Sequence, residues 1–151
     1  MYKRPESVLV VIYREDFRVL LMRRSFPDDF WQSVTGSLEH QEQPLAAAIR
    51  EVHEETGVEP GLVGASIVDV NTQVRYPLYP EWKQRYAPDV NENLEHWFFL
   101  KVPQNTVIRL CEGEHQEYVW LTFAEALAQV SSESNRDAIV QLAEKLELHA
   151  N

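Results

Sequence analysis

The chain predicts a single α+β or α/β sandwich. Three observations carry this: several short runs rich in β-branched residues, three helical segments with their own start and stop signals, and no regular βαβ alternation. The first strand is Val8-Leu9-Val10-Val11-Ile12-Tyr13, apolar throughout and so expected to be buried on both faces. Arg14-Glu15-Asp16-Phe17 turns the chain into a second strand, Val19 to Arg23, giving a hairpin. Pro27-Asp28-Asp29 marks a loop, and Trp31 to Thr35 reads as a short strand stopping at Gly36. The first helix spans about 44–56: Pro44 suits its first turn, Leu45, Ala48, Ile49 and Val52 recur at helical spacing, and Gly57 suits the left-handed residue past its end. Ala65 to Val74 is β, Tyr76 to Trp82 an irregular loop, and Glu95 to Val102 a further strand. Two shorter strands, Val107 to Leu110 and Tyr118 to Leu121, flank the acidic segment Glu112-Gly113-Glu114. Thr122-x-x-Glu125 is a capping box for a short helix, and Ser134 is the expected cap of a last helix from about Asn135 to Leu146.

Composition bounds the function. With 151 residues, 44% of them hydrophobic, the chain is one domain that can fold without a disulfide or a metal staple. Its single cysteine, Cys111, cannot form an internal bridge, and its longest apolar run is far too short to span a bilayer, so a cytoplasmic protein with no membrane partner is expected. The net charge of −10, from 14 Lys plus Arg against 24 Asp plus Glu, argues against a nucleic-acid polymer as partner, because such binding rests on phosphate neutralisation by cationic side chains. An acidic chain can still hold a small phosphorylated molecule if a divalent cation sits between them. The position of the acids therefore matters more than their number.

Five of them, Glu39, Glu42, Glu51, Glu54 and Glu55, fall within 17 residues. On the expected helix Glu51, Glu54 and Glu55 stand at i, i+3 and i+4, which sets their carboxylates on one face and the apolar stripe on the other. Like charges so placed repel, so the face is either solvated or neutralised by cations. Carboxylate oxygens suit Mg²⁺ or Mn²⁺, which bind through a few carboxylates plus substrate phosphates, and that is the chemistry of phosphoanhydride hydrolysis. Arg50 either pairs with Glu54 one turn on or orients a ligating carboxylate. The wider pattern is Gly36, five residues, Glu42, seven residues, Arg50-Glu51, apolar Val52, one residue, Glu54-Glu55, one residue, Gly57, apolar Val58. It resembles the signature of the Nudix hydrolases, and at average residue frequencies it would arise by chance in roughly one chain of this length per 10⁷.

The resemblance implies a mixed sheet sandwiched between α-helices and Mg²⁺-dependent hydrolysis of a nucleoside diphosphate linked to another group. It implies Glu51 and Glu55 as primary metal ligands, Glu54 and Glu42 as further ligands or outer partners, and Gly36 and Gly57 as the residues shaping the loop and the helix end. Gln41 departs from the family's frequent glycine before the first glutamate. A distant carboxylate often completes such a site; Glu114 is the closer fit here and Glu112 the fallback, with an acidic surface turn as the alternative. Glu54, Glu51 and Glu114 are all candidates for the general base.

Strings outside the box extend the likeness: Tyr2-Lys3-Arg4-Pro5, Phe30 to Ser37, Arg85-Tyr86-Ala87-Pro88, Glu95-His96-Trp97-Phe98 and Ser134-Asn135-Arg136 resemble the Nudix branch acting on dihydroneopterin triphosphate and dATP. That likeness implies release of pyrophosphate from a small-molecule triphosphate, with a role in folate biosynthesis, by a monomer or small homo-oligomer. Lys3 and Arg23 then either reach phosphate oxygens or are solvated charges, and Thr35, beside the box glycine, is either a substrate contact or a cap. Tyr76, Pro77, Leu78 and Tyr79 line a ring pocket or pack as a covering loop, and Ser132 meets substrate or forms a turn. Trp31, Trp97 and Trp120 belong to the core on this reading, and Cys111 has no catalytic partner in the sequence. His53-Glu54 is not a zinc-protease motif, since the second histidine is replaced by Gly57. Competing readings are a Nudix hydrolase for another nucleotide, such as a damaged nucleotide or a dinucleoside polyphosphate, and a non-catalytic nucleotide-binding module.

Overall fold

The computed structural model describes residues 2–24, 29–59, 61 and 66–147. Its elements run β1 (Glu6–Arg14), β2 (Arg18–Arg24), β3 (Phe30–Gln32), β4 (Val34–Ser37), α1 (Pro44–Thr56), β5 (Ile67–Pro77), a 3-10 helix (Pro80–Arg85), β6 (Glu92–Val102), β7 (His115–Thr122), α2 (Phe123–Gln129) and α3 (Glu133–Lys145). One mixed sheet has the order β3-β2-β1-β6-β5, with β4 added to β1 and β7 to β2. Among the described residues only β1 and β6 run parallel, in register from Glu6↔Leu94 to Arg14↔Val102. This is the expected α+β sandwich, and the continuous apolar run of β1 is the reason for its two layers. Val8, Val10 and Ile12 meet Ala47, Ala48 and Val52 of α1 on one face, whereas Leu9, Val11 and Tyr13 meet Phe123, Ala126, Ile139 and Leu142 of α2 and α3 on the other.

Several boundaries differ from the sequence expectation, each for a physical reason. The Trp31–Thr35 strand is two strands divided at Ser33: β3 pairs with β2 and β4 with β1, so the sheet opens between them. Asn135 holds the dividing residue, its Oδ1 accepting from Ser33 N at 2.7 Å and its Nδ2 donating to Ser33 Oγ at 2.9 Å. β5 runs on through Tyr76 and Pro77, which are tolerated because β5 is an edge strand, and Pro80 opens a 3-10 helix where an irregular loop was expected. Val107–Leu110 forms no strand; Ile108 is buried in the α1 layer while Arg109 N bonds Thr56 O at 2.7 Å. The cap of α3 is Ser132, whose Oγ accepts from Asn135 N at 3.3 Å, and Ser134 lies inside the first turn. Of the expected Pro27-Asp28-Asp29 loop, the first two residues lie outside the described ones, as does Ala65.

The helix α1 begins with Pro44 and ends at Gly57, whose φ of 76° and N–H bond to His53 O at 2.9 Å match the expected left-handed terminus. Its rotation is unexpected. Leu45 and Ile49 are 45% and 42% exposed, and the buried face is Ala47, Ala48, Val52, Glu55 and Thr56. Small alanines let the helix lie close on the sheet, and Glu55 follows Ala48 and Val52 at i, i+4, i+7 along the buried row. The acidic and apolar faces are therefore not opposed, because the carboxylate row turns in against β4.

Candidate active site

Gly36, in β4, makes the floor of the site. A Cβ added there would overlap the Glu51 carboxyl group, so only glycine lets that side chain lie flat on the strand. Glu55 is 3% exposed beside it, with Oε1 buried and unpartnered. Its pKa is pushed well above the usual carboxylate range by burial first, then by Glu51 and Glu114, and the Thr35 backbone N–H only partly offsets this. Three carboxyl groups from two distant segments thus converge. Glu114 arrives on the turn before β7, where Gly113 takes φ 92° and a β-bulge between β2 and β7 sets Arg24 opposite His115.

Arg50 organises the rest of the box. It donates to Glu42 through Nε and NH2 at 2.8 Å each, to Glu51 at 2.6 Å, to Glu54 at 3.2 Å and to the Ser37 carbonyl at 3.0 Å. Glu42 also accepts Glu39 N at 2.9 Å, and these bonds, the Arg50 ones foremost, hold its pKa at about 2. Both Glu42 oxygens are therefore engaged, which makes it a support for Arg50. Arg4 ties the same turn down through the carbonyls of Glu39 and Glu42, both at 3.0 Å. Glu54 is half-exposed.

These carboxyls fit a divalent cation. The orphaned Glu55 Oε1, the Gly36 cradle under Glu51 and an all-oxygen donor set are what a hard cation takes. Among the described residues no three such groups are already gathered as a finished cage; the ion pairs to Arg50 hold part of the set.

Cations face the carboxyls. Lys3 is held below the ordinary lysine value by desolvation first, then by Arg85 and Arg24, with Glu51 opposing. Arg24 is lowered by burial, with Glu55 and Glu114 pulling up and Arg85 pulling down. Its guanidinium lies 5.4 Å from the Trp82 ring and 5.7 Å from the Phe30 ring. Arg23, expected either to reach phosphate oxygens or to be a solvated charge, pairs with Glu117 at 2.6 Å. The missed signal was parity along β2: Leu20 and Met22 join the α1 layer, so Arg24 shares their face, while Arg23 follows Val19 and Leu21. Arg85 and Trp82 lie on the 3-10 helix, and the Arg85 carbonyl accepts Lys3 N at 2.7 Å. His115 is nearly buried and its pKa is lowered to about 4 by burial and then Arg24, so it is neutral near pH 7.

The remaining sequence candidates occupy positions around these groups. Thr35 presents its backbone N–H to Glu55. Tyr76 turns its hydroxyl to Asn93 Nδ2 at 3.0 Å, Pro77 closes β5, and Leu78 N bonds Asn91 O at 3.0 Å. Tyr79, half-exposed, meets Trp82 edge-on at 5.4 Å. Ser132 spends its hydroxyl on the α3 cap.

The NUDIX domain model matches residues 3–142. The dihydroneopterin triphosphate diphosphatase of Escherichia coli strain K12 is 43% identical over 142 residues, 93% of each chain. The protein of that name in Haemophilus influenzae is 37% identical over 91% of this chain and 87% of its own. The solved structure of the E. coli dihydroneopterin triphosphate pyrophosphohydrolase superposes with a TM-score of 0.87 over 96% of this chain and 99% of that one. With the box carboxyls, their arginine and their glycine floor assembled as one site, the chain belongs to the Nudix family.

Proposed function

We propose that this protein hydrolyses dihydroneopterin triphosphate to dihydroneopterin monophosphate and pyrophosphate, and accepts dATP as a second substrate. The observation that carries it is the facing of Glu51, Glu55 and Glu114 by Lys3 and Arg24, with Arg85 beside those two cations, which suits a polyphosphate clamped between a cation and basic side chains. Glu51, Glu55 and Glu114 would hold Mg²⁺, or Mn²⁺ in its place, which when bound neutralises phosphate oxygens and makes water a better nucleophile. Lys3, Arg24 and Arg85 bind the charged tail. Stacking on Trp82 and Phe30 limits how far the Arg24 guanidinium can move. Arg50 fixes the rotamers of Glu51 and Glu54, and Glu42 fixes Arg50. Glu54, half-exposed, is the candidate to take the proton from the attacking water; Glu51 and Glu114 serve if they are not consumed as ligands. A cytoplasmic monomer or small homo-oligomer belongs to the same reading, and no described helix is long and apolar enough to cross a membrane.

The test is pyrophosphate release from dihydroneopterin triphosphate, dATP and a dinucleoside polyphosphate, with Mg²⁺ and with EDTA. The expected result is Mg²⁺-dependent turnover highest on the pterin substrate. A preference for the dinucleotide, or no turnover on any of them, would overturn the proposal.

A further inference from the structure

On the α3 face of the sheet, at the same end as the carboxyl site, lies a second group of buried polar side chains. Ser7, Tyr76, Asn93 and Glu95 occupy adjacent positions on β1, β5 and β6, in the registers Ser7↔Glu95 and Tyr76↔Asn93. Ser7 also pairs with Ser37 of β4, the neighbour of Gly36, so this group begins one residue from the floor of the carboxyl site. Glu95 is 3% exposed, Asn93 2% and Ser7 5%. Trp97 Nε1 donates to Glu95 Oε1 at 3.0 Å, and the hydroxyls of Tyr76 and Ser134, the latter in the first turn of α3, lie beside the same carboxyl group. Asn93 Nδ2 donates to Ser7 Oγ at 2.7 Å and to the Tyr76 hydroxyl, while Asn93 Oδ1 is buried with no partner.

The phosphate chemistry uses none of these groups, and a buried carboxyl group with an orphaned acceptor beside it is costly to keep for packing alone. Burial raises the Glu95 pKa, and its three donors oppose the rise. Two of the three are hydroxyls that rotate, so an incoming donor can replace them. A carboxylate takes two parallel N–H donors, and the 2-amino-4-oxo ring shared by pterins and guanine presents such a pair, N3–H (N1–H in guanine) and the 2-amino group. Adenine offers one donor and one acceptor on the corresponding edge, and its ring nitrogen would meet a carboxylate oxygen lone pair to lone pair.

We infer that Glu95 is a specificity-determining residue, whose carboxylate receives the two adjacent N–H donors of a 2-amino-4-oxo heterocycle, with Asn93 Oδ1 as a further acceptor. This rests on the proposed function and deepens it, because it names the atoms that separate a pterin from adenine. Glu95→Gln tests it, since an amide offers one acceptor and one donor and so complements adenine. The ratio of kcat/KM for dihydroneopterin triphosphate over dATP should fall about tenfold or more in a variant that melts as the wild type does. An unchanged ratio, or equal loss on both substrates, would overturn the inference while leaving the hydrolase reading intact. A wild-type enzyme inactive on both substrates would instead overturn that reading. Should E95Q not fold, the wild type decides: dGTP and dITP differ only in the 2-amino group, and dITP should be used about tenfold less efficiently. Equal efficiency would overturn the assignment.

Discussion

Glu55 is a carboxyl group buried against two others, with one oxygen unpartnered. Glu55→Gln should abolish most turnover, by orders of magnitude, and raise the melting temperature in EDTA, because the desolvated charge is gone. A lowered melting temperature in EDTA would show that the carboxylate is structural. Gly36→Ala should damage activity comparably through Glu51, whose carboxyl occupies the Cβ position, with Mg²⁺ affinity as the readout. Gln41 has φ 65°, a conformation that strains an L side chain, and this is where the family often has glycine. Gln41→Gly should therefore stabilise the protein by about 1 kcal/mol in denaturant unfolding.

The elements show what was legible in the sequence. The β1–β2 hairpin, the span of α1, its proline and glycine ends and the Thr122 capping box depend on local chemistry, and all are found. The rotation of α1 was not legible, because periodicity treats every glutamate as a surface residue and Glu55 lies in the buried row. Parity on β2 was available, but it needed the knowledge that Leu20 and Met22 face α1. It yields a sharp comparison: Arg24→Ala should lower kcat/KM about tenfold or more, as expected for a charge-assisted phosphate contact, whereas Arg23→Ala loses an exposed ion pair with Glu117 and should change it little. Reversal of that order would return the phosphate contact to Arg23. The 3-10 helix bearing Trp82 and Arg85 had no period to betray it, and its place over the site comes from long-range contacts such as Arg85 O with Lys3 N.

For the whole molecule, the net charge of −10 acquires a location. Glutamates from α1 and from the turn before β7 meet at one end, so a divalent cation held there as proposed would link segments about sixty residues apart in sequence. Saturating Mg²⁺ should raise the unfolding free energy by about 2.7 kcal/mol at a hundred times its dissociation constant, and E55Q should lose most of that gain. Thermal unfolding across a Mg²⁺ series measures it; an equal shift in E55Q would place the ion elsewhere.

The division of the sheet at Ser33 also has a dynamic consequence. The backbone N–H of Ser33 is held by Asn135 of α3, a side-chain clasp outside either strand ladder. Strands β3 and β4 thus meet across a seam fastened by a helix, and the seam adjoins both Gly36 and the Glu95 group. Asn135→Ala should release it, seen as faster amide deuterium uptake over residues 31–35 while β1 and β6 remain protected. The molecule would then breathe along one line, where its recognition face and its chemical face come closest together.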